Sequence, residues 1–553
     1  MSVAAAPSTQ NSEAPASSAA IVAAPWDWHR GLALAAVSAL IGLTQSLGVY
    51  LINNNLTGIQ GALGATAADS AWLTSAYFAT NLSATVLLTK MRIQFGLTRF
   101  AQWGIVAFLA ASAVNLFAHA LPSAIAARAA LGLAAMPLTA LSLLYMVEAV
   151  PQERKTLGIT LGIATQQFGS PLSRILSGSL LQIGSLQGLE LINVALACAC
   201  LAATIAVRLT PPPAIKVFNP GDVFAFLLYA FGFALICIFF TQARLNWWTD
   251  TAWLGVCLAS GLGSLGLYVL YDLQRQRPLL DLRWICSPST VRLVVVILLF
   301  RLVLSEQPIG TVTFMNALGF NNDQMRVLFA WSCFGTAAGF GISVFALPSM
   351  SLRLPGFIAL VLIGIAAALD ANSSSQTVPA DLYISQTLIA MGTAMFLMST
   401  LLVGFIPVIM DGMRNVVSFF AVFSASQALG NLMGSAWLST FVVDHQKLHF
   451  ARLVQSMVLA DPQVAGRIMR GTRMYGGAIT DPAVRGARGV SALAQLANRE
   501  SLVLAYVDLF HLIALLAAIT FVGLAIIKAR LVMLEVEGRR STARAQASQS
   551  STG

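Results

Sequence analysis

Four charged residues of this sequence lie inside long apolar runs, where charges are rare: Arg128, Arg174, Arg301 and Glu306. A charge at the centre of a membrane-spanning helix costs about 2.5–3.5 kcal/mol on insertion scales, so such residues are candidates for binding ions or substrate. Glu306 is the only carboxylate that the sequence places well inside an apolar run. It is therefore the best candidate for a proton-binding group, the alternative being a carboxylate in a wet outer vestibule.

Each arginine has a functional and a structural interpretation. Arg128 and Gly132 share a helix face, so a neighbouring helix can approach closely while the guanidinium faces the interior. Arg128 either takes part in coupling or bonds to helix-end carbonyls. Arg174 either contributes to coupling or substrate binding or extends its side chain to the outer interface. Arg301 and Glu306 are about 140° apart around an α-helix, so we do not expect them to pair.

Uncharged polar residues form a second set of cavity candidates: Gln166, Gln167, Gln427 and Asn431. Such residues form interhelical hydrogen bonds more often than substrate contacts. Three arginines against one carboxylate in the apolar runs favour an anionic or zwitterionic substrate over a lipophilic cation.

The composition indicates that these residues lie on helices of a membrane protein. Of 553 residues, 57% are hydrophobic and 10% are charged, against about 25% charged in a typical soluble protein. These values exclude an ordinary soluble enzyme. The net charge of +10 is explained by basic cytoplasmic loops, so no nucleic-acid partner is predicted. His445 and His449 are at most a weak metal pair, and neither a metal nor a cofactor is predicted.

The apolar runs predict an all-α polytopic membrane protein with fourteen transmembrane helices. They lie near 31–52, 70–89, 100–118, 123–147, 157–180, 189–207, 221–241, 251–271, 291–313, 325–347, 354–370, 383–408, 416–443 and 504–527. The predicted organisation is a disordered cytoplasmic tail (1–30), a six-helix bundle (31–207), a linker with two extra helices (208–290), a second six-helix bundle (291–528) with a long outer loop (444–503), and a cytoplasmic tail (529–553).

The distribution of basic residues predicts that both termini are cytoplasmic. Nineteen Lys and Arg residues then lie on the inner side and two in the short outer loops, with eight more in the long loop 444–503. No nucleotide-binding motif of the form G-x-x-x-x-G-K-[ST] occurs, and no hydrophilic segment is long enough for a nucleotide-hydrolysing domain. An ion gradient or the gradient of the substrate itself must therefore supply the energy.

Several segments carry a family resemblance: AWLTSAYFATNLSATVLL in span 2, KMRIQFGLTRF after it, RAALGLAA in span 4, PQERK after span 4, LINVALACA in span 6, SASQALGNLMGSA in span 13 and LANRESLVLAYVDLFHLIALLAA entering span 14. Over most of its length the chain resembles the fourteen-helix drug:proton antiporters (EmrB/QacA type) of the major facilitator superfamily. The resemblance implies two six-helix bundles with two extra central helices, and efflux associated with multidrug resistance by proton antiport.

The resemblance also implies roles for individual residues. Arg128 matches the family's span-4 arginine, which is implicated in coupling. Gly96 and Arg99 match the cytoplasmic gate, Glu148 is an inner-gate candidate, and Asp508 with His511 forms an outer-gate candidate, although a carboxylate at a helix start also has a purely structural interpretation.

The chain departs from the family pattern in three places; the first weakens the cytoplasmic gate, and the other two count against proton antiport. Thr89 and Ile93 replace the first Gly and the acidic residue of the loop after span 2, and Gly48 stands where relatives often have an acidic residue. In span 5 the ending G-P-x-x-G-G is replaced by residues 174–179. An uncoupled facilitator or uptake permease for organic anions, and a non-transporting membrane scaffold, therefore stay open as alternatives.

The function predicted from the sequence is export of amphipathic organic compounds by a secondary active transporter, not an enzyme. Its predicted location is a bacterial inner membrane, and its predicted partners are a small-molecule substrate, protons and the lipid bilayer. In double-membrane bacteria, members of the resembled family deliver substrate to a periplasmic adaptor and an outer-membrane channel. The loop 444–503 is then either a docking surface for such an adaptor or a simple cap.

The predicted orientation can be tested by cysteine labelling in a cysteine-free background. Ser18→Cys and Ser548→Cys should react with a membrane-impermeant maleimide only after the inner membrane is permeabilised, whereas Thr480→Cys in the outer loop should react before permeabilisation. Labelling of either terminal cysteine before permeabilisation would contradict the orientation.

Overall fold

The computed structural model describes residues 27–184, 186–209, 220–276, 278–346, 354–410, 415–458 and 460–550. Every regular element within these ranges is helical. A bilayer offers no hydrogen-bond partner to backbone N–H and C=O groups, so helices that bond internally are the expected form for these apolar segments.

The first part of the chain forms α1 (Trp28–Asn53), α2 (Leu56–Leu63), α3 (Ala67–Phe95), α4 (Leu97–Leu116), α5 (Leu121–Ala149), α6 (Lys155–Gln167), α7 (Gly169–Gly184) and α8 (Leu186–Ala206). The middle part forms α9 (Pro220–Gln242), α10 (Ala252–Leu273) and the short α11 (Leu282–Ile285). The last part forms α12 (Pro288–Leu304), a π-helical turn (Glu306–Thr311), α13 (Val312–Ala317), α14 (Arg326–Ala346), α15 (Leu354–Asp370), α16 (Tyr383–Met410), α17 (Val416–Ser456), α18 (Pro462–Met474) and α19 (Pro482–Ser550).

The all-α fold and the membrane location predicted from the sequence are confirmed. Each predicted span falls on one or more of the helices, and among the described residues nine helices are long and apolar enough to cross a membrane. The helix α15 is apolar but shorter. The chain is therefore a multi-pass helical membrane protein, while the count of fourteen crossings stays a prediction.

Two predicted spans are interrupted where proline removes a backbone donor. Span 5 is divided at Phe168 into α6 and α7, because Pro171 has no N–H for the carbonyl of Gln167. Span 9 contains the π-helical turn, because Pro308 has no N–H for the carbonyl of Leu304.

The helices extend beyond the predicted spans into the predicted tails and the predicted outer loop. Residues 1–26 of the predicted tail lie outside the described residues, but Asp27 caps α1 by accepting a hydrogen bond from the His29 amide at 3.0 Å, so the helix begins before residue 31. In the predicted outer loop, α17 continues to Ser456 and α19 already begins at Pro482, with α18 packed on α19. At its other end, α19 continues to Ser550.

The helices pack as two groups with a helical pair against them. In the first group α5 contacts α1, α3, α4 and α6, and α8 contacts α1, α4 and α7. In the second group α16 contacts α14 and α15, while α17 and α19 contact each other. The pair α9 and α10 packs on the first group through α3, and α9 also contacts α17 of the second group. The extra helices therefore adjoin both groups.

The ends of the helices define two faces of the molecule. We call the face where α1 begins and α5 ends the terminal face; Arg30 and Glu148 form an ion pair there at 3.3 Å. The other face is called the opposite face. At the terminal face Arg275 closes the pair α9 and α10 by bonding Asp222 at 2.6 Å and Asp272 at 3.3 Å.

The two groups touch at both faces, by different chemistry. Toward the terminal face, Ile159 and Ala164 of α6 belong to the same buried apolar cluster as Phe340 of α14 and Leu401 of α16. Toward the opposite face, the Asn322 amide donates to Asn55 Oδ1 at 2.9 Å and to Ser177 Oγ at 3.2 Å. One contact is therefore apolar and the other polar.

The close approach predicted at Gly132 is confirmed and can be tested. A Cβ atom at Gly132 would lie 2.4 Å from both Tyr77 O and Thr80 Oγ1 of α3. We expect Gly132→Val to separate α3 from α5 and to lower the free energy of unfolding by about 1–3 kcal/mol, seen as a lower melting temperature of the purified protein.

The matched control is Gly341→Val in α14, because no atom lies within 4 Å of a Cβ atom there. An equal loss of stability in both variants would contradict the close packing of α3 on α5.

Candidate functional site

A cavity of about 680 Å³ lies between the two groups of helices. Its walls come from α1–α3, α6, α7 and α9 on one side and from α12–α14, α16, α17 and α19 on the other. Its size is that of sites that hold drug-sized ligands. Its lining residues lie toward the opposite face, from Asn53 and Asn54 at the end of α1 to Arg244 after α9 and Gln446 of α17.

All charged residues that line this cavity, among the described residues, are arginines: Arg174, Arg244 and Arg301. Much of the remaining wall is apolar and aromatic and includes Phe78, Phe240 and Phe329. Guanidinium groups bind carboxylate, sulfonate and phosphate through paired N–H donors. The cavity therefore suits a compound with an anionic group and an apolar body.

Arg174 is held inside the cavity wall rather than at a lipid interface. Its side chain is only 8% exposed, and Nη2 donates to Asn54 Oδ1 at 3.1 Å. The guanidinium carbon lies 5.4 Å from the ring centroid of Phe329 in α14. The alternative of an arginine extending to the outer interface is therefore wrong.

Three successive asparagines at the end of α1 connect the buried polar groups. Asn53 Oδ1 accepts from Arg128 Nη2 at 3.4 Å, and Asn54 binds Arg174. Asn55 Oδ1 accepts from Asn322 of the second group. Sequence reasoning did not identify these residues as site residues, although an N-N-N run after an apolar span was the available signal.

Arg128 is completely buried and does not line the cavity. Its guanidinium donates to the carbonyls of Gly48 at 2.9 Å and Val49 at 3.4 Å, and its carbon lies 4.7 Å above the Tyr77 ring. This geometry matches the interpretation of an arginine bonded to helix carbonyls. It also gives Gly48 a role, because the backbone of this residue accepts the arginine where relatives often have an acidic side chain.

The polar candidates divide into those at the cavity and those behind it. Gln167 and Asn431 line the cavity, whereas Gln166 and Gln427 do not. Gln427 instead accepts a hydrogen bond from Nε of Arg301 through its Oε1 atom and orients that arginine. Arg301 therefore has a partner other than Glu306, in agreement with their angular separation.

Glu306 lies behind the cavity wall, fully buried, beside a second buried carboxyl group. Glu306 Oε1 accepts from Thr311 Oγ1 at 2.8 Å, and the same hydroxyl lies 3.3 Å from Asp370 Oδ2. Asp370 is 1% exposed. The interpretation of Glu306 as a carboxylate in a wet vestibule is therefore wrong, and so is its status as the only buried carboxylate.

Glu190 of α8 is another buried carboxylate that sequence reasoning missed. It is 0% exposed and accepts from Asn115 Nδ2 at 2.6 Å and Asn193 Nδ2 at 2.9 Å, and it interacts electrostatically with Arg128. Glu190 and Asp370 were missed because both stand at the ends of apolar runs, where a linear sequence does not distinguish a buried carboxylate from a solvated one. The predicted charge balance of three arginines against one carboxylate is thus wrong for the bundle, although among the described residues the charged side chains that line the cavity are all arginines.

The inner-gate candidates lie at the terminal face. Gly96 joins α3 to α4 with a φ of 79°, which favours glycine, and Arg99 is exposed. The side chains of Thr89 and Ile93 lie outside the described residues. The described ion pair of Glu148, with Arg30, links two helices of the first group and does not bridge the two groups.

The outer-gate candidates belong to a contact between α17 and α19. Asp508 Oδ2 lies 2.6 Å from His449 Nε2. His511 is exposed, and its Nδ1 lies 2.9 Å from the Val507 carbonyl of its own helix, so Asp508 and His511 do not act as a pair. His445 stacks on Phe441, and the described residues contain no cluster of three or more metal-ligating side chains.

Comparison with known proteins agrees with this architecture. The model of the Major Facilitator Superfamily matches residues 38–435. No curated protein sequence matches the chain.

Solved structures share the fold at low sequence identity. Tetrameric PepTSo2 is 12% identical with a TM-score of 0.54, over 90% of this chain and 99% of that chain. The human organic anion transporter MFSD10 (TETRAN) is 13% identical with a TM-score of 0.51, over 88% of this chain and 99% of that chain.

Two groups of membrane helices around a central cavity define a helical membrane transporter. Because the family model covers most of the chain, this protein belongs to the major facilitator superfamily. It is therefore a transporter rather than an enzyme, and it binds a small-molecule substrate within the membrane.

The bonds of Arg128 predict a structural cost of replacing it. Arg128→Lys removes the forked donor that reaches both α1 carbonyls, and a single ammonium group cannot replace it. We expect the free energy of unfolding to fall by about 1–3 kcal/mol, because buried carbonyls lose their donor. Thermal unfolding of the purified protein measures this.

The control is Arg283→Lys, at an exposed position of α11. If Arg128→Lys were as stable as this control, the hydrogen bonds of Arg128 to the α1 carbonyls would not contribute to the free energy of unfolding.

Proposed function

We propose that this protein is a secondary transporter that exports amphipathic organic anions by alternating access. The observation that carries the proposal is the cavity: among the described residues its charged lining side chains are all arginines, and the rest of its wall combines apolar, aromatic and uncharged polar side chains. An anionic group on the substrate would neutralise the guanidinium groups of Arg174, Arg244 and Arg301. The aromatic side chains would take up its apolar body.

The contacts between the two groups of helices support alternating access. Opening toward the opposite face requires loss of the Asn322 bonds to Asn55 and Ser177, which water can replace. Opening toward the terminal face requires separation of an apolar contact that includes Ile159 and Phe340. We propose that substrate binding in the cavity shifts the balance between these two openings.

We further propose that a proton gradient drives export, with Glu306 as the proton-binding residue. The carboxyl group is buried behind the cavity wall, while the next residues, Gln307 to Ile309, line the cavity. A protonation change at Glu306 can therefore alter the wall that contacts the substrate. In this proposal Arg128 holds α1 at Gly48 and Val49 and does not itself exchange protons.

An uncoupled facilitator or uptake permease for organic anions is the second candidate. It is favoured because Gly48 supplies no carboxylate in α1 and because, among the described residues, no Asp or Glu lines the cavity. Such a protein would move an anion only down its own gradient.

We also propose an orientation, a membrane and a partner protein for this transporter. Basic residues on the terminal face favour a cytoplasmic location for both termini, and the predicted membrane is a bacterial inner membrane. The extensions of α17 and α19 beyond the predicted membrane spans, with α18, form a helical projection on the opposite face. We propose this projection as the contact for a periplasmic adaptor that leads to an outer-membrane channel.

The substrate class is tested with radiolabelled taurocholate as the anionic probe and ethidium as the cationic probe in proteoliposomes. Arg174→Gln and Arg301→Gln should each raise the KM for taurocholate about tenfold or more, because each removes a charge-assisted contact. Arg283→Gln, which changes an exposed arginine, should leave the KM unchanged.

Transport of ethidium, with no transport of taurocholate or other organic anions in a mixed pool, would contradict the anionic substrate. Unaltered anion transport in both cavity variants would contradict the assigned site.

A further inference from the structure

We propose that Glu306 and Asp370 form one carboxyl pair that shares a single proton, and that this proton is released only when the wall behind the cavity opens to water. The pair deepens the proton role of Glu306 and rests on the proposed function for its place in transport. Its existence is independent of any substrate.

The two carboxyl groups are brought together by the π-helical turn. Glu306 and Thr311 are five residues apart and would lie on different faces of an α-helix, but the wider turn places Thr311 Oγ1 2.8 Å from Glu306 Oε1. The same hydroxyl lies 3.3 Å from Asp370 Oδ2, at the end of α15. The two carboxyl groups therefore meet at one hydroxyl group.

The available donors do not satisfy two ionised carboxylates. The single proton of the Thr311 hydroxyl can be donated to only one carboxylate at a time. Gln386 Nε2 donates to Thr311 Oγ1 at 2.6 Å and to Asp370 Oδ2 at 3.0 Å. Glu306 Oε2 and Asp370 Oδ1 are buried, and no described residue forms a hydrogen bond with either atom. One shared proton gives the pair an additional donor and removes one of two adjacent negative charges.

Among the described residues, no positively charged group balances the pair. The polar groups beside it are Thr311 of the turn and Ser385 and Gln386 of α16. Within the described ranges, neither carboxyl group forms an ion pair with Lys, Arg or His. Burial of two unpaired carboxylates is much more costly than burial of one that shares a proton.

The other charged groups near the opposite-face ends of these helices make different bonds. Arg326 of α14 pairs with Asp323 at 3.1 Å. In α19, Arg499 donates to the Leu318 carbonyl, and Asp508 bonds His449. His511 is exposed beside its own helix backbone. None of these groups is a partner of the carboxyl pair.

The pair is directly connected to the cavity wall. Gln307, Pro308 and Ile309 belong to the π-helical turn and line the cavity, and Gln307 Nε2 donates to Ser332 Oγ of α14 at 3.1 Å. Release breaks the O–H bond of the shared proton, transfers the proton to water and leaves two carboxylates. This step requires water at the pair, so movement of the turn and loss of the proton occur together.

The proton is measured directly by infrared spectroscopy of the purified full-length protein in lipid vesicles at neutral pH. The wild type should show a protonated-carboxyl band that shifts in deuterated water. In E306Q and in D370N the protonated-carboxyl band should decrease by the intensity of one carboxyl group. The new amide donates an N–H in place of the shared O–H, so the remaining carboxyl group is ionised. The double variant E306Q/D370N should lose no more than either single variant.

The control is D381N, which changes an exposed carboxylate at the loop before α16 and should leave the band unchanged. A band that persists in both single variants would place the proton elsewhere and overturn the pair. If the band of the double variant decreased by the intensity of two carboxyl groups, each residue would hold its own proton. If the wild type had no protonated-carboxyl band from either residue, the pair would hold no proton. Each result also overturns the proposal.

Transport measurements test the carboxyl pair and the proposed transport function separately. If the wild type moves taurocholate, a gradient of about one pH unit should support about tenfold accumulation at one proton per substrate. E306Q and D370N should keep exchange of labelled for unlabelled taurocholate and lose this accumulation; its retention overturns the coupling role. If the wild type moves neither the anionic nor the cationic probe, the proposed function fails, while the infrared result still decides the pair.

Discussion

A charged side chain within the membrane-spanning part of a protein must be paired or hydrogen-bonded inside the protein. The packing of these helices depends on how this requirement is met. Arg128 meets it with two carbonyls of α1 and the face of Tyr77. Glu190 meets it with the amides of Asn115 and Asn193. In both cases the bonds connect different helices, so the polar groups that are costly to bury also fix the packing of the first group.

Two other sets of charged groups have room for a further partner, and function is proposed at both. The arginines of the cavity have open space beside them where an anion can bind. The carboxyl pair has oxygen atoms without donors. The first arrangement favours binding of a negatively charged substrate, and the second favours binding of a proton. Because the π-helical turn contributes both to the pair and to the cavity wall, the two binding events share one structural element.

The fold was largely predictable from the sequence, because apolar runs and the spacing of basic residues report directly on membrane helices. The division of span 5 and the turn in span 9 were not predicted, although Pro171 and Pro308 were visible signals. The candidate site was only partly predictable. The side-chain types of Arg174 and Arg301 pointed to the cavity, but the pairing of Glu306 with Asp370 joins residues far apart in the chain and cannot be obtained from spacing within one helix.

The place of Arg244 in the cavity was likewise not predictable from the sequence. The positive-inside count places it in a short outer loop, as one of two basic residues on that side. In three dimensions it follows α9 directly and contributes the third guanidinium group of the cavity. Its role depends on how the extra helical pair packs against the two groups, which is tertiary information.

The most direct test of proton-coupled export of organic anions is the internal pH of proteoliposomes that contain the purified protein under an imposed pH gradient, while pools of anionic and cationic amphiphiles are added. We expect a proton flux that begins with the anionic pool and not with the cationic pool. Movement of labelled anions without any proton flux would contradict proton coupling and identify an uncoupled facilitator.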